Sequence, residues 1–242
     1  MAIRDPGAYP WVTPLRRAII GPSGWSETEW DERLRADRLP VLAVGSNASP
    51  AVLSDKLADL LEPRAGAVYL EVCRVVGLAV GHSAHLSRPG YVAAAPCRTS
   101  LPQTDAGARG GAGALETAYS LAWLTPTQAG ALDATEPNYD RLPLPPDLTA
   151  RTIETQVAIQ GVQLYVSRHG VLARDGRPVP LMAQPDAVAW LRERLTCIRD
   201  VSDVDLFADP NIRESVRREL ADGGWALPSG LVSTDRESSA RR

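Results

Sequence analysis

The chain has 242 residues, 44% of them hydrophobic and 23% charged, and 26 Lys+Arg against 29 Asp+Glu leave a formal charge of −3. That composition suits a globular domain of generous size and excludes a wholly disordered chain or a fibrous repeat. The near-neutral balance speaks against a dedicated nucleic-acid binder, which carries a basic face. Lys56 is the only lysine among the 26 basic residues, an arginine bias that reads as the codon usage of a GC-rich genome. No stretch of about 18 apolar residues predicts a membrane span, and the first residues lack the apolar core of a signal peptide. The expected compartment is the cytoplasm. Cys73, Cys97 and Cys197 show no C-x-x-C pairing, which fits buried, inert thiols better than a disulfide framework or a zinc site.

Residues 1–38 read as an N-terminal extension. Ser26 and Glu29 form a capping-box pattern, predicting a short helix over 27–37 with Trp30 and Leu34 on one face. The apolar run Pro40–Gly45 predicts a strand buried on both sides, interrupted at Gly45-Ser46-Asn47. Ser49-Pro50 then opens a helix over 50–61 with Leu53, Leu57, Leu60 and Leu61 on one stripe, stopped by Pro63. Strands are predicted over 70–80, 91–96, 117–124, 152–159 and 162–168. In the fourth of these, Ile153, Thr155, Val157 and Ile159 alternate with Thr152, Glu154, Gln156 and Ala158, the pattern of a half-buried strand. Thr99–Ala114, rich in Gly, Ala and Thr, predicts a mobile loop. Thr125-Pro126-Thr127-Gln128 opens a capped helix that ends before Pro137. Two amphipathic helices, over 185–196 and 210–221, close the core, with Gly223 as a C-cap. Trp190, Trp225 and Phe207 would cover hydrophobic surface of that core or of a second subunit in a homodimer. Residues 231–242 read as a frayed tail. Together these elements predict an α+β domain.

Several patterns that invite a chemical reading fail on geometry. His82 and His85 on a strand would point to opposite faces and could not share one metal ion. Gly107, Gly110, Gly111 and Gly113 precede a strand, so no helix N-terminus would face a phosphate there. Neither a P-loop lysine motif nor a G-x-S-x-G elbow is present. Two segments are more specific. In Val41–Pro50 a buried strand runs into Gly45-Ser46-Asn47 and then into a helix. Such a corner can present backbone N–H groups to an anion or carbonyl oxygen, and a glycine there allows close approach. In Ala118–Arg141 a strand and a helix lead to Glu136, held extended by Pro137. A carboxylate in such a place serves either as a general base or as an ordinary exposed side chain.

The pair of segments resembles the gamma-glutamylcyclotransferase-like superfamily. Its Y-G-S-N strand end is matched by Val44-Gly45-Ser46-Asn47. Its later pattern is matched by Leu124-Thr125, Leu132-Asp133, Glu136 and Tyr139-Asp140-Arg141. Val162–Val166 and Asp175–Val179 are similar to the strand and hairpin that follow. Val44 stands where the family has tyrosine, and Pro137 where it has glycine. The resemblance covers residues 39–182; residues 1–38 and 183–242 lie outside it, and 183–230 read as a helical part packed on that core. It implies a mixed β-barrel flanked by helices, with N- and C-terminal helical extensions. It further implies that the α-amine of a gamma-glutamyl amide attacks its own γ-carbonyl, releasing 5-oxoproline and an amine. Glu136 would be the general acid/base. Ala43, Val44, Gly45, Ser46, Asn47 and Tyr139 would bind the small-molecule substrate. Neither a metal nor an organic cofactor is required, because the ring closure is intramolecular. A related amide-cleaving or deprotecting enzyme of a biosynthetic pathway would use the same site. A non-catalytic ligand-binding or scaffold module is the reading from another class.

Overall fold

Pro40-Val41-Leu42-Ala43 offers no polar side chain, so its strand needs cover on both faces. The computed structural model describes residues 5–11, 17–29, 32–63, 65–99 and 116–232, the side chains of Glu32, Glu116, Val204, Phe207 and Ala208 excepted. Trp30, most of the predicted loop over 99–114, residues 233–242 and the Phe207 side chain lie outside the described residues. In chain order the strands begin with the hairpin β1 (Ala18–Gly21) and β2 (Gly24–Glu27), followed by β3 (Leu39–Ala43), β4 (Val68–Val76) and β5 (Leu78–Leu86). Then come β6 (Val92–Arg98), β7 (Glu116–Leu124), β8 (Tyr139–Pro143), β9 (Ala150–Thr152), β10 (Gln163–Ser167), β11 (Val171–Arg174) and the two-residue β12 (Arg177–Pro178) and β13 (Ala226–Leu227). The helices are α1 (Pro50–Lys56), α2 (Pro126–Ala134), α3 (Gln184–Arg194), α4 (Asp203–Ala208) and α5 (Pro210–Asp222).

The first sheet runs β2-β1-β4-β7-β3-β10-β8, with β9 also on β4; the second runs β12-β11-β5-β6, with β13 on β11. Among the described strands only β3 and β10 pair in parallel. Side chains in the first sheet alternate between two cores, as strand geometry requires. Leu42, Leu121, Trp123 and Leu164 join Leu78 from the second sheet in one core. Val41, Ala122, Leu124 and Tyr165 meet Leu53 and Leu57 from the α1 end and Leu132 of α2 in the other. A third core lies where Ala84, Leu86, Val92 and Leu172 meet Val188 and Leu191 of α3 and Val216 and Leu220 of α5. Trp190 and Trp225 pack against that third core, edge to face at 6.0 Å, with the Arg194 guanidinium 4.2 Å from the Trp190 ring.

The class is α+β, but the described strands form two sheets and do not close into the expected barrel. One cause is local. The predicted strand over 70–80 is two strands, parted at Gly77, whose φ of +81 hands the chain from the first sheet to the second. Among the described residues of the expected helix over 27–37, none is α-helical. Ladder pairing of β2 with β1 uses the backbone around Ser26, and only a 3-10 turn, Glu32–Arg35, follows. The helix over 50–61 ends at Lys56 and resumes as a 3-10 turn, Ala58–Leu60. The strand over 152–159 is replaced by a turn. Thr152 Oγ1 lies 2.6 Å from Thr155 Oγ1 and accepts from Val157 N at 3.1 Å, while Val157 is 58% exposed. Hydroxyl-to-backbone bonding of this kind competes with ladder formation. β8 and α4 were not anticipated.

The end of the described chain is held more firmly than a frayed tail. Leu231 is 5% exposed, Val232 packs against the same core, and Arg98 Nε donates to Gly230 O at 2.6 Å. Burial of a leucine is worth about 1.5–3 kcal/mol. A chain ending at Gly230 is therefore expected to melt on the order of 5 °C lower with turnover unchanged. An unaltered melting temperature would show that Leu231 contributes nothing to the core.

Candidate active site

The first sheet delivers both specific segments to one place. β3 ends in the 3-10 turn Gly45–Ala48, and α1 follows at once. From the other direction, Thr125 caps α2 through a reciprocal box with Gln128, and Glu136 follows that helix in the turn leading to β8. This turn is clamped at both ends. Arg141 on β8 grips Asp133 on α2 through two bonds of 2.8 Å, and the Tyr165 hydroxyl adds a third at 2.7 Å. The Arg141 guanidinium, hydrogen-bonded to Asp133, holds its carboxyl below the usual carboxylate range. Bidentate pairing fixes orientation as well as distance, so the loop carrying Glu136 is held in place.

Glu136 is not a lone carboxylate. Its Oε1 accepts from Asn47 Nδ2 at 3.0 Å and from Lys56 Nζ at 2.6 Å. Lys56 also donates to Asn47 Oδ1 at 2.8 Å, closing a ring of three side chains. The Lys56 and Glu136 side chains are 8% and 15% exposed, and a charge pair so enclosed needs such additional bonds to offset desolvation. Among the described residues no hydrogen bond reaches Glu136 Oε2. Lys56 had been legible only as a compositional oddity. In a chain that otherwise uses arginine, its compact ammonium stands where two acceptors converge, a task unlike that of a planar guanidinium fork.

An aromatic enclosure lies beside this ring. Among the described strands β6 is the last of the second sheet, its Val92 peptide groups are met by the Gln184 side chain, and both peptide groups of Ala94 are satisfied too. Ala94 N donates to the Tyr9 hydroxyl at 2.8 Å, and the Tyr139 hydroxyl donates to Ala94 O at 3.0 Å. Tyr9 stacks on Tyr91 at 4.1 Å with an interplanar angle of 11°, and Trp11 meets both rings edge-on. Burial pushes the Tyr9 phenol well up and that of Tyr91 to about 12, and the Glu136 charge adds to both shifts. Gly45 adopts φ +60, and a Cβ there would collide with the Tyr9 hydroxyl and sit 3.0 Å from Ala94 Cβ. Glycine is required on both counts.

The structure thus brings together Gly45, Ser46, Asn47, Glu136 and Tyr139. Ala43 lies within β3, paired with Ser120, and Val44 packs its side chain against the core between the sheets. The sequence reading missed Lys56, Tyr9, Tyr91 and Trp11; only the solitary lysine left a signal. His82 and His85 are both buried on β5. His82 Nε2 accepts from Met182 N at 2.8 Å, which leaves Nδ1 to donate to Val92 O at 3.3 Å. His85 Nδ1 lies 2.5 Å from Ser83 Oγ, and burial, reinforced by His169, pushes His85 down to about 3. Among the described residues no group of three or more His, Cys, Asp or Glu side chains could hold a metal ion, and no helix is long and apolar enough to cross a membrane. Comparisons with protein-family models, curated proteins and solved structures return no match.

Proposed function

We propose that this protein is a gamma-glutamylcyclotransferase-like enzyme, built on a variant of that fold, that converts a gamma-glutamyl amide into 5-oxoproline and a free amine. The observation that carries the reading is the 3.0 Å bond between Asn47 and Glu136, residues 89 positions apart that belong to the two motifs. Glu136 Oε2 takes a proton from the substrate α-ammonium. The freed amine attacks the γ-carbonyl carbon, and the carbonyl electron pair moves onto oxygen. Backbone N–H groups at the head of the Gly45–Ala48 turn stabilise that oxyanion. Glu136 gives its proton to the leaving nitrogen as collapse re-forms the carbonyl and expels the amine; the ring nitrogen, which still carries two protons, then loses one to Glu136, and that proton passes to the released amine. Lys56 and Asn47 hold Oε1, so that Oε2 faces the substrate. Closing a five-membered ring within one molecule needs no bimolecular encounter.

The test is a panel of glutathione, gamma-glutamyl amino acids and gamma-glutamyl amines, each assayed for released 5-oxoproline. Turnover of at least one member is expected. Failure of all of them, with 5-oxoproline also failing to bind, would overturn the assignment and leave a ligand-binding module on an unrelated task.

A further inference from the structure

We propose that the Ala94 N–H on the outer edge of β6, beside Gly45, is a binding subsite for an acceptor oxygen of the substrate, and that Tyr9 occupies it in the resting chain as a detachable stand-in. This inference rests on the function proposed above for the choice of substrate, though not for the docking of Tyr9. An edge strand presents peptide groups that any acceptor can take, and here the acceptor is a phenol oxygen from the N-terminal segment, 85 residues away in sequence. The oxygen lies against the positive-φ glycine of the turn on which substrate binding is proposed, close enough to exclude any β-carbon. Tyr9 therefore fills space that a substrate oxygen would need.

A 3-10 turn of three residues, Pro6–Ala8, carries Tyr9; Asp5 caps it through Gly7 N at 2.9 Å, and Trp11 Nε1 donates back to Asp5 O at 2.9 Å. These polar bonds are internal to the segment, so they survive its departure. Among the described residues, what binds it to the site is the Ala94 bond, a second backbone contact from Ser46 to the Tyr9 hydroxyl, the stacking of Tyr9 on Tyr91 with Trp11 edge-on, and the approach of the Pro6–Ala8 turn to α3. Substrate and Tyr9 then compete, and apparent affinity is reduced by the fraction of molecules in which the subsite is open. The substrate class that profits is one with an oxygen acceptor and a flat or aliphatic body able to lie on Tyr91.

Two full-length variants and two readouts test this. Tyr9→Ala removes the stand-in, and Tyr9→Phe keeps the stacked ring while deleting only the acceptor oxygen, so it serves also if the alanine variant folds poorly. On the gamma-glutamyl panel, Tyr9→Ala is expected to raise kcat/KM about tenfold through a lower KM, with Tyr9→Phe intermediate. A fall in kcat/KM, or no change, in a folded variant would overturn the stand-in while turnover itself upheld the proposed function. Hydrogen exchange at Ala94 N–H reads the segment without any substrate. It is expected to exchange faster than Leu121 N–H in the sheet centre, because the segment opens without global unfolding, and faster still in Tyr9→Phe. Exchange of Ala94 as slow as that of Leu121 would show that Tyr9 leaves only on unfolding, and would end the proposal. Absence of turnover in all three proteins would count against the proposed function alone.

Discussion

Replacing Glu136 by glutamine is expected to lower kcat by about 10²-fold or more, with the fold retained. The amide preserves shape, and its oxygen can still accept from Asn47 and Lys56, which meet Glu136 Oε1 at 3.0 and 2.6 Å. What it cannot do is take a proton from the substrate ammonium or return one to the leaving nitrogen. The substitution also leaves the Lys56 ammonium, on a side chain only 8% exposed, without its counter-charge. Removing one partner of an enclosed pair is destabilising, and with the hydrogen bonds kept the cost should be about 1–3 kcal/mol. Kinetics and thermal melting on the same preparation separate the two effects. Near-normal turnover by a folded Glu136→Gln protein would remove Glu136 from the chemistry.

Gly45→Val should be the most damaging substitution in the opposite motif. At φ +60 a β-branched side chain is strained whatever the space around it. Its Cβ would also press on Ala94 Cβ, 3.0 Å away, and on the Tyr9 hydroxyl. Backbone strain and overpacking together should cost about 3 kcal/mol or more. The turn must shift, the N–H groups of Ser46 and Asn47 with it, and 5-oxoproline binding should be lost in calorimetry even where the protein stays folded. A soluble Gly45→Val protein that binds 5-oxoproline normally would reduce this corner to a structural turn.

The placement of these two residues is legible in the sequence because each sits beside a locally determined element. Val41–Ala43 is apolar throughout and so becomes an inner strand, and Pro50 starts the following helix, leaving Gly45–Ala48 as the turn between. The Thr125–Gln128 box starts α2, and Pro137 follows its end. Asp133 and Arg141 were visible as motif residues, but their bidentate contact depends on β8 pairing with β10 in a given register. The contacts of Lys56 and Tyr9 were illegible for a related reason. A lysine at a helix end and a tyrosine in an aperiodic segment carry no pattern, and their contacts span 80 and 85 residues. Alternation misled at 152–159, where threonine hydroxyls close a turn. It said nothing of Gly77, where one predicted strand divides between two sheets. Local chemistry was readable, whereas the meeting of distant segments was not.

In the proposed reaction the substrate's own amine, and not water, attacks the γ-carbonyl. Turnover of the best gamma-glutamyl amide in water labelled with heavy oxygen tests it directly by mass spectrometry of the products. Intramolecular attack yields 5-oxoproline carrying none of the label, together with the free amine, and a substrate whose α-amine is acetylated should not react at all. Release of glutamate carrying one labelled oxygen, or turnover of the acetylated substrate, would mean that water is the nucleophile and would rule out intramolecular attack.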